Sequence, residues 1–291
     1  MRGIILKGIG SFYTVLCDDG ESYTCKARGK FRIDGKTPLP GDHVEFEPSG
    51  ELEGYMRDIL PRKNAFLRPA VANVDQLVIV MAASAPKPDL LLTDKLLLDC
   101  ERRGVSPLLV LNKCDERDVE LVSDIISQYE PTGYRTIEVS AHGGEGLDQL
   151  KIELFSKISC FTGQSAVGKS SLLNALLPEL DLPVGGLSRK VERGKHTTRH
   201  AELWPAYGGA VVDTPGFSLL ESDELAPEEL PAFYPEMKEH NNCYFTACLH
   251  MSEPDCAVKR ALEEGEISRG RYERYCELVK ELIEKRKHRY D

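Results

Sequence analysis

The sequence predicts an α/β domain with a parallel sheet covered by helices on both faces. A small all-β barrel precedes it, and a mainly helical, metal-binding unit follows. Three observations carry this expectation. Short alternating runs fill residues 1–62, apolar runs alternate with helical segments over residues 63–221, and residues 222–291 hold a cysteine cluster followed by a long amphipathic segment. A chain of 291 residues has length enough for two or three such domains and a sizeable core.

In the first segment, β-rich runs fall at Gly3–Lys7, Ser11–Cys17, Glu21–Ala27, His43–Glu47 and Gly54–Leu60. Turn chemistry separates them, at Asp18-Asp19-Gly20, Asp34-Gly35-Lys36 and Pro38-Leu39-Pro40-Gly41-Asp42. Five short strands in so few residues point to an OB-fold barrel, with an SH3-like barrel as the rival. Lys26, Arg28, Lys30 and Arg32 recur at every second residue, on one side of an extended segment. They form either a solvated strand face or a contact for RNA phosphates.

From Asn73 the pattern changes. Val74–Ala82 is almost unbroken apolar sequence, as a strand covered on both faces requires. Leu90–Arg103, Val119–Tyr129, Leu147–Phe155 and Lys169–Leu177 read as helices. Pro107–Leu111, Arg135–Val139, Ile158–Phe161, Ala201–Pro205 and Ala210–Asp213 read as strands. In such a sheet, ligands bind at the carboxyl ends of the strands. In the last segment Tyr272, Tyr275, Cys276, Val279, Leu282 and Ile283 mark one face of a helix from Ser268 to Lys287. The basic run at its end, Glu284–Arg289, is either dipole compensation or a nucleic-acid contact.

Composition sets further bounds. The chain is 41% hydrophobic and 29% charged, and no apolar stretch approaches the roughly 20 residues of a membrane span. The apolar run at the N-terminus is too short for a secretory signal, so a cytoplasmic protein without membrane contact is expected. Scattered cysteines (17, 25, 100, 114, 160 and 276) fit free thiols in that compartment. A net charge of −10 argues against a chain-wide nucleic-acid surface but not against a local one.

Gly163-Gln164-Ser165-Ala166-Val167-Gly168-Lys169-Ser170 is a complete phosphate loop between a strand and a helix, with Ser171 following. Its N–H groups would face phosphates, Lys169 would neutralise the β- and γ-phosphates, and the Ser170 hydroxyl would ligate Mg²⁺. The base is read by Asn112-Lys113-Cys114-Asp115. Guanine offers two adjacent N–H donors that the Asp115 carboxylate can accept, whereas adenine offers no such pair. Asn112 would brace the loop and contact the base, and the Lys113 stem would cover the base face. Ser140-Ala141 would turn a backbone N–H toward guanine O6.

Asp213-Thr214-Pro215-Gly216 ends a strand; Asp213 would hold Mg²⁺ through water and the Gly216 N–H would meet the γ-phosphate. In Gly194-Lys195-His196-Thr197-Thr198-Arg199-His200, Thr198 is the candidate second hydroxyl on Mg²⁺, ahead of Thr197. Phe217 stands where Ras-like enzymes carry a water-orienting Gln, which leaves His196 as the candidate catalytic group. The base motif precedes the phosphate loop, the reverse of the usual order. A nucleotide site is an arrangement in space, so the rotated series describes a circularly permuted, Mg²⁺-dependent GTPase. An ATP-using enzyme is opposed by Asp115, and a nucleotide-gated RNA-binding module remains the alternative class.

Cys243, Cys248, His250 and Cys256 offer three thiolates and an imidazole, a full tetrahedral set for one structural Zn²⁺. Their spacing is not that of the common finger, and reduced cysteines beside an unrelated histidine are the alternative. His240 is a weaker candidate for the fourth ligand.

The permuted motif order, Phe66-Leu67-Arg68-Pro69, the Gly194–Thr198 segment and the cysteine cluster together resemble the small-ribosomal-subunit-dependent GTPases of the RsgA (YjeQ, YloQ) family. The resemblance covers the whole chain. It implies an N-terminal OB-fold that binds rRNA, a permuted GTPase domain and a C-terminal zinc domain. It also implies that a monomer exchanging GTP and GDP acts in late maturation of the small ribosomal subunit, which stimulates its hydrolysis. The low net charge departs from what an rRNA-binding chain suggests.

Overall fold

The computed structural model describes residues 1–27, 31, 37–67, 69–182, 201–213 and 225–288. Strands β1 (Arg2–Ile9), β2 (Phe12–Cys17), β3 (Ser22–Ala27), β4 (His43–Gly50) and β5 (Glu53–Ile59) close into a barrel in the order β1-β2-β3-β5-β4. The β3–β5 pair is parallel, and the other pairs of the barrel are antiparallel. This five-stranded closure is the OB arrangement, not the SH3-like one. Period-two alternation fills it: Ile5, Val15, Cys25, Val44, Phe46 and Met56 all point inward and are buried.

A short hairpin, β6 (Ala65–Leu67) and β7 (Ala70–Ala72), leads from the barrel into the sheet. The junction is polar and satisfied. Asp42, fully buried, accepts from Arg62 at 2.6 and 2.7 Å and from the Leu39 N–H at 2.7 Å. The Asn73 amide donates to the Gly41 carbonyl at 2.9 Å.

The sheet contains β8 (Gln76–Ala82), β9 (Ser106–Asn112), β10 (Arg135–Val139), β11 (Ile158–Thr162), β12 (Leu203–Ala206) and β13 (Gly209–Asp213). They lie in the order β10-β9-β8-β11-β13-β12, with β12 antiparallel and the rest parallel. Helices α1 (Leu90–Arg103) and α2 (Val119–Tyr129) cover one face, and α3 (Leu147–Leu154) and α4 (Lys169–Leu176) the other. The unbroken apolar run of β8 divides between two cores: Leu77, Ile79 and Met81 on the first face, Val78, Val80 and Ala82 on the second. The chain builds outward from β8 through β9 to β10, then returns to the other side of β8 with β11. The reversal of direction, where doubly wound sheets open a crevice, therefore lies between β8 and β11.

The C-terminal unit comprises α5 (Pro235–Lys238), α6 (Ala257–Glu264) and α7 (Arg269–His288). Tyr275, Leu278, Val279 and Leu282 of α7 pack in one cluster with Leu98 of α1, so this unit shares a core with the sheet's helices. Three of the described elements, β6, β7 and α6, are absent from the sequence expectation. The β6–β7 strands are three residues each, too short to show alternation. The α6 helix is hidden because it follows Cys256 directly, and its one boundary signal is Gly265 in the left-handed region at φ 82°. Among the described residues no helix is long and apolar enough to cross a membrane.

Candidate nucleotide site and metal centre

Four strand ends converge on the crevice. Asn112 is the last residue of β9, Ser140 follows β10, Gly163 follows β11, and Asp213 ends β13. Parallel pairing places these ends on one edge of the sheet, with Phe161 opposite Asp213 and Val139 opposite Asn112.

The phosphate loop takes its shape from glycine. Gly163 has φ 139° and Gly168 φ 90°, both in the region that side chains avoid. A Cβ on Gly163 would strike the Val80 carbonyl, and one on Gly168 would strike the Asn112 amide. Lys169 starts α4 and its Nζ donates to the Gly163 and Gln164 carbonyls, each at 2.7 Å. Burial pulls the Lys169 pKa below the usual lysine value, and the Asp213 carboxylate opposes this. A charged ammonium in this place is the kind of group an anionic ligand stabilises. Val167 is buried in the core of the second face, which anchors the loop.

Asn112 ties the loops together. Its buried side chain donates to the Val167 carbonyl at 2.9 Å and accepts from the Ala141 N–H at 3.1 Å. The base motif, the Ser140-Ala141 loop and the phosphate loop thus meet at one side chain. Ser140, itself buried, donates from Oγ to Asp115 Oδ1 at 2.5 Å and accepts from the Gly143 N–H at 2.7 Å. That hydrogen bond, against a burial effect, holds the Asp115 carboxyl below the usual carboxylate range. Asp115 itself is exposed, so it is an ionised acceptor open to an approaching base. Lys113, at φ 67°, donates from Nζ to the Ala85 carbonyl at 2.5 Å. Cys114 donates to Glu145 at 3.3 Å, and burial with that carboxylate pushes its thiol up to about 11.

Sequence reasoning gave Ser140 a backbone role and missed its hydroxyl as the partner of Asp115. It also missed Ala85 in the loop after β8. No residue pattern signals either contact, since both join segments far apart in the chain. Thr197, Thr198, His196, Thr214, Gly216 and Phe217 lie outside the described residues, as do Arg28, Lys30 and Arg32 of the basic row and Arg68.

In the C-terminal unit the ligand atoms of Cys243, Cys248, His250 and Cys256 all lie within 4.8 Å of one another. Cys243 Sγ is 3.9 Å from Cys256 Sγ, and His250 Nδ1 is 3.5 and 3.3 Å from those two sulfurs. A tetrahedron with Zn–S bonds of 2.3 Å has edges of about 3.8 Å, so the donor set fits. Burial pulls the His250 pKa below its usual 6.5, leaving the neutral imidazole that ligates metals. Two tyrosines of α7 hold the ligand loop: Tyr272 donates to the His250 carbonyl at 2.6 Å and Tyr275 to the Leu249 carbonyl at 2.9 Å. His240 stands outside the group, 3.4 Å from Glu266.

A permuted phosphate-loop fold with an Asn-Lys-x-Asp motif, an OB barrel in front and a Cys₃His group behind defines a circularly permuted GTPase class. Comparison with known proteins narrows it. Residues 59–223 match the model of the RsgA GTPase and residues 2–56 that of the RsgA N-terminal domain. A protein of Caldanaerobacter subterraneus subsp. tengcongensis called small ribosomal subunit biogenesis GTPase RsgA is 46% identical over 100% of this chain and 98% of its own. One of the same name from Geobacillus thermodenitrificans is 44% identical over 99% of each. Among solved structures, YjeQ from Thermotoga maritima superposes with a TM-score of 0.85 at 37% identity, covering 97% of this chain and 98% of that one. YloQ, described as a circularly permuted GTPase, gives 0.82 at 35% identity over 97% and 95%. The chain belongs to the RsgA GTPase family.

Proposed function

We propose that this chain hydrolyses GTP on the small ribosomal subunit and couples hydrolysis to late maturation of that subunit and its own release. Family membership supplies the activity class. The observation that carries the site is the Asn112 side chain, which joins the base-reading and phosphate-binding loops.

In this reading Asp115 accepts the two guanine N–H groups, Asn112 braces the pocket, Lys113 covers the base and the Ala141 N–H meets O6. The backbone of Gly163–Ser170, with Lys169, Ser170 and Ser171, takes the phosphates. Mg²⁺ would be held by Ser170, Asp213 and Thr198; when bound it supplies positive charge to the β- and γ-phosphates. Gly216 would sense the γ-phosphate, and His196 would orient the attacking water in place of a glutamine. One structural zinc would be held by Cys243, Cys248, His250 and Cys256. The domains would run 1–62, 63–221 and 222–291, in a cytoplasmic monomer.

The barrel would face rRNA through one row of side chains. Phe12, Lys26 and Tyr55 are direct cross-strand neighbours on β2, β3 and β5. All three are exposed, and the Lys26 ammonium lies 5.8 Å from the Phe12 ring centroid. Two rings flanking a cation suit unpaired bases and the phosphate between them.

The test is GTP turnover with and without purified small subunits, for wild type and Lys169→Ala. Strong stimulation of wild type alone is expected. Equal turnover with and without subunits would leave a nucleotide-gated RNA-binding module instead.

A further inference from the structure

The phosphate loop and the metal-bearing unit are joined by a continuous series of contacts through α1. Gln164 sits at both ends of a small relay: its carbonyl accepts from Lys169 at 2.7 Å, and its side-chain oxygen accepts from the Asp89 N–H at 3.1 Å. Asp89 caps α1, its carboxylate accepting from the Leu92 N–H at 2.9 Å. Asp94 lies about 7.5 Å further along the same helix axis. Its carboxylate is fully enclosed and accepts from Arg271 Nη1 at 2.6 Å, Arg274 Nε at 2.5 Å and the Tyr129 hydroxyl at 2.7 Å. Arg271 also pairs with buried Glu236, and Arg274 Nη1 donates to Gln128 at 2.7 Å.

Such buried pairs contribute little net stability for their desolvation cost, and their best-attested use is to fix a register. Here the register fixed is that of α7 on α1 and α2. On α7, Tyr272 and Tyr275 hold the ligand loop, and each directly follows one of the two arginines in the chain. The cluster is also under-satisfied: Tyr234 Oη, Glu236 Oε2 and Arg274 Nη2 are buried without a partner. A coupling element needs two discrete arrangements, and the spare donor on Arg274 and spare acceptor on Glu236 are the groups through which a second pairing would form.

We propose that Gln164, Asp94, Arg271 and Arg274 are positioning residues that gear the phosphate loop to the metal-bearing C-terminal unit. Whatever seats against that unit then alters nucleotide affinity through α1. This inference rests on the assignment of Gly163–Ser170 as the phosphate site. Coupling is reciprocal, so nucleotide binding must also bias the α1–α7 pairing.

A double-mutant cycle on the full zinc-loaded chain tests it, with GDP carrying a fluorescent reporter as the probe. Asp94→Asn is expected to weaken GDP binding about fivefold or more with Gln164 present, and less than about twofold in the Gln164→Ala background. A purely structural role for Asp94 would act equally in both backgrounds, and equal factors overturn the link. Arg274→Lys keeps the charge but loses the planar fork, and it is read in the same way where Asp94→Asn fails to fold. A Lys169→Ala chain that still binds GDP as wild type does overturns the phosphate-site assignment and the link with it. Equal factors on a Lys169-dependent site overturn the link alone.

Discussion

Asn112 shows how far residue type carries and where it stops. Its place in an Asn-Lys-x-Asp motif after a strand is legible in the sequence, but its two partners, Val167 and Ala141, are 55 and 29 residues away. Replacing it with alanine leaves a buried carbonyl and a partly buried N–H unpaired, at a cost of about 1–3 kcal/mol for the buried carbonyl and less for the N–H. Asn112→Ala should therefore weaken GDP binding at least tenfold, measured by titration. Asp115 is the more selective probe. Its depressed pKa makes it a fixed acceptor at neutral pH, and Asp115→Asn exchanges one acceptor oxygen for a donor. Preference should move from guanosine to xanthosine nucleotides, read as the ratio of GDP to XDP dissociation constants; an unchanged ratio would refute the role assigned to Asp115. Asp94, Arg271 and Arg274 were not legible at all. Charged residues on a helix read as solvated surface, and the pairing that buries these spans 177 and 180 positions.

Among the elements, those with a strong local period were read from sequence and those without one were not. The nearly unbroken apolar run of β8 and the amphipathic α7 announced themselves, whereas β6 and β7 are too short to carry a pattern. In the metal loop, ligand types were legible but their geometry depends on the Tyr272 and Tyr275 hydroxyls. Cys256→Ser should abolish the metal content measured by atomic emission and unfold the C-terminal unit, since metal binding at such sites is folding free energy. Retained stoichiometric zinc would show that a different set of ligands operates. The α1–α7 contact also has a pH signature. Glu281 is held below its usual 4.5 by a hydrogen bond from Lys95, against burial, at an N···O distance of 2.8 Å. A depressed carboxylate stabilises the fold above its unfolded pKa and loses that contribution as pH falls through the folded value. Glu281→Gln should therefore flatten the acid limb of the unfolding curve below about pH 4.5. The effect should stay under about 1 kcal/mol, because both partners are about a third exposed.

At the scale of the whole molecule, permutation changes which segments neighbour each other along the chain without changing the crevice. The cut places the barrel and the short β6–β7 hairpin before β8. The chain leaves the crevice at Asp213, and the described residues resume at 225 in the C-terminal unit that carries the Cys₃His group. Barrel and sheet meet through the Asn73–Gly41 hydrogen bond at 2.9 Å and through the Lys7–Glu202 pair at 2.8 Å, just before β12. The net charge of −10 confines any rRNA contact to local features such as the Phe12–Lys26–Tyr55 row. Lys26→Glu should raise the dissociation constant for small subunits about tenfold or more, by filter binding at fixed salt, with intrinsic GDP affinity unchanged. Unaltered subunit binding would move the contact elsewhere.

One nucleotide is expected to span both loops. A crystal structure with a non-hydrolysable GTP analogue should place guanine within hydrogen-bond distance of Asp115 and the phosphates against the N–H groups of Gly163–Ser170. A base seated away from Asp115 while the phosphates occupy the loop would contradict it.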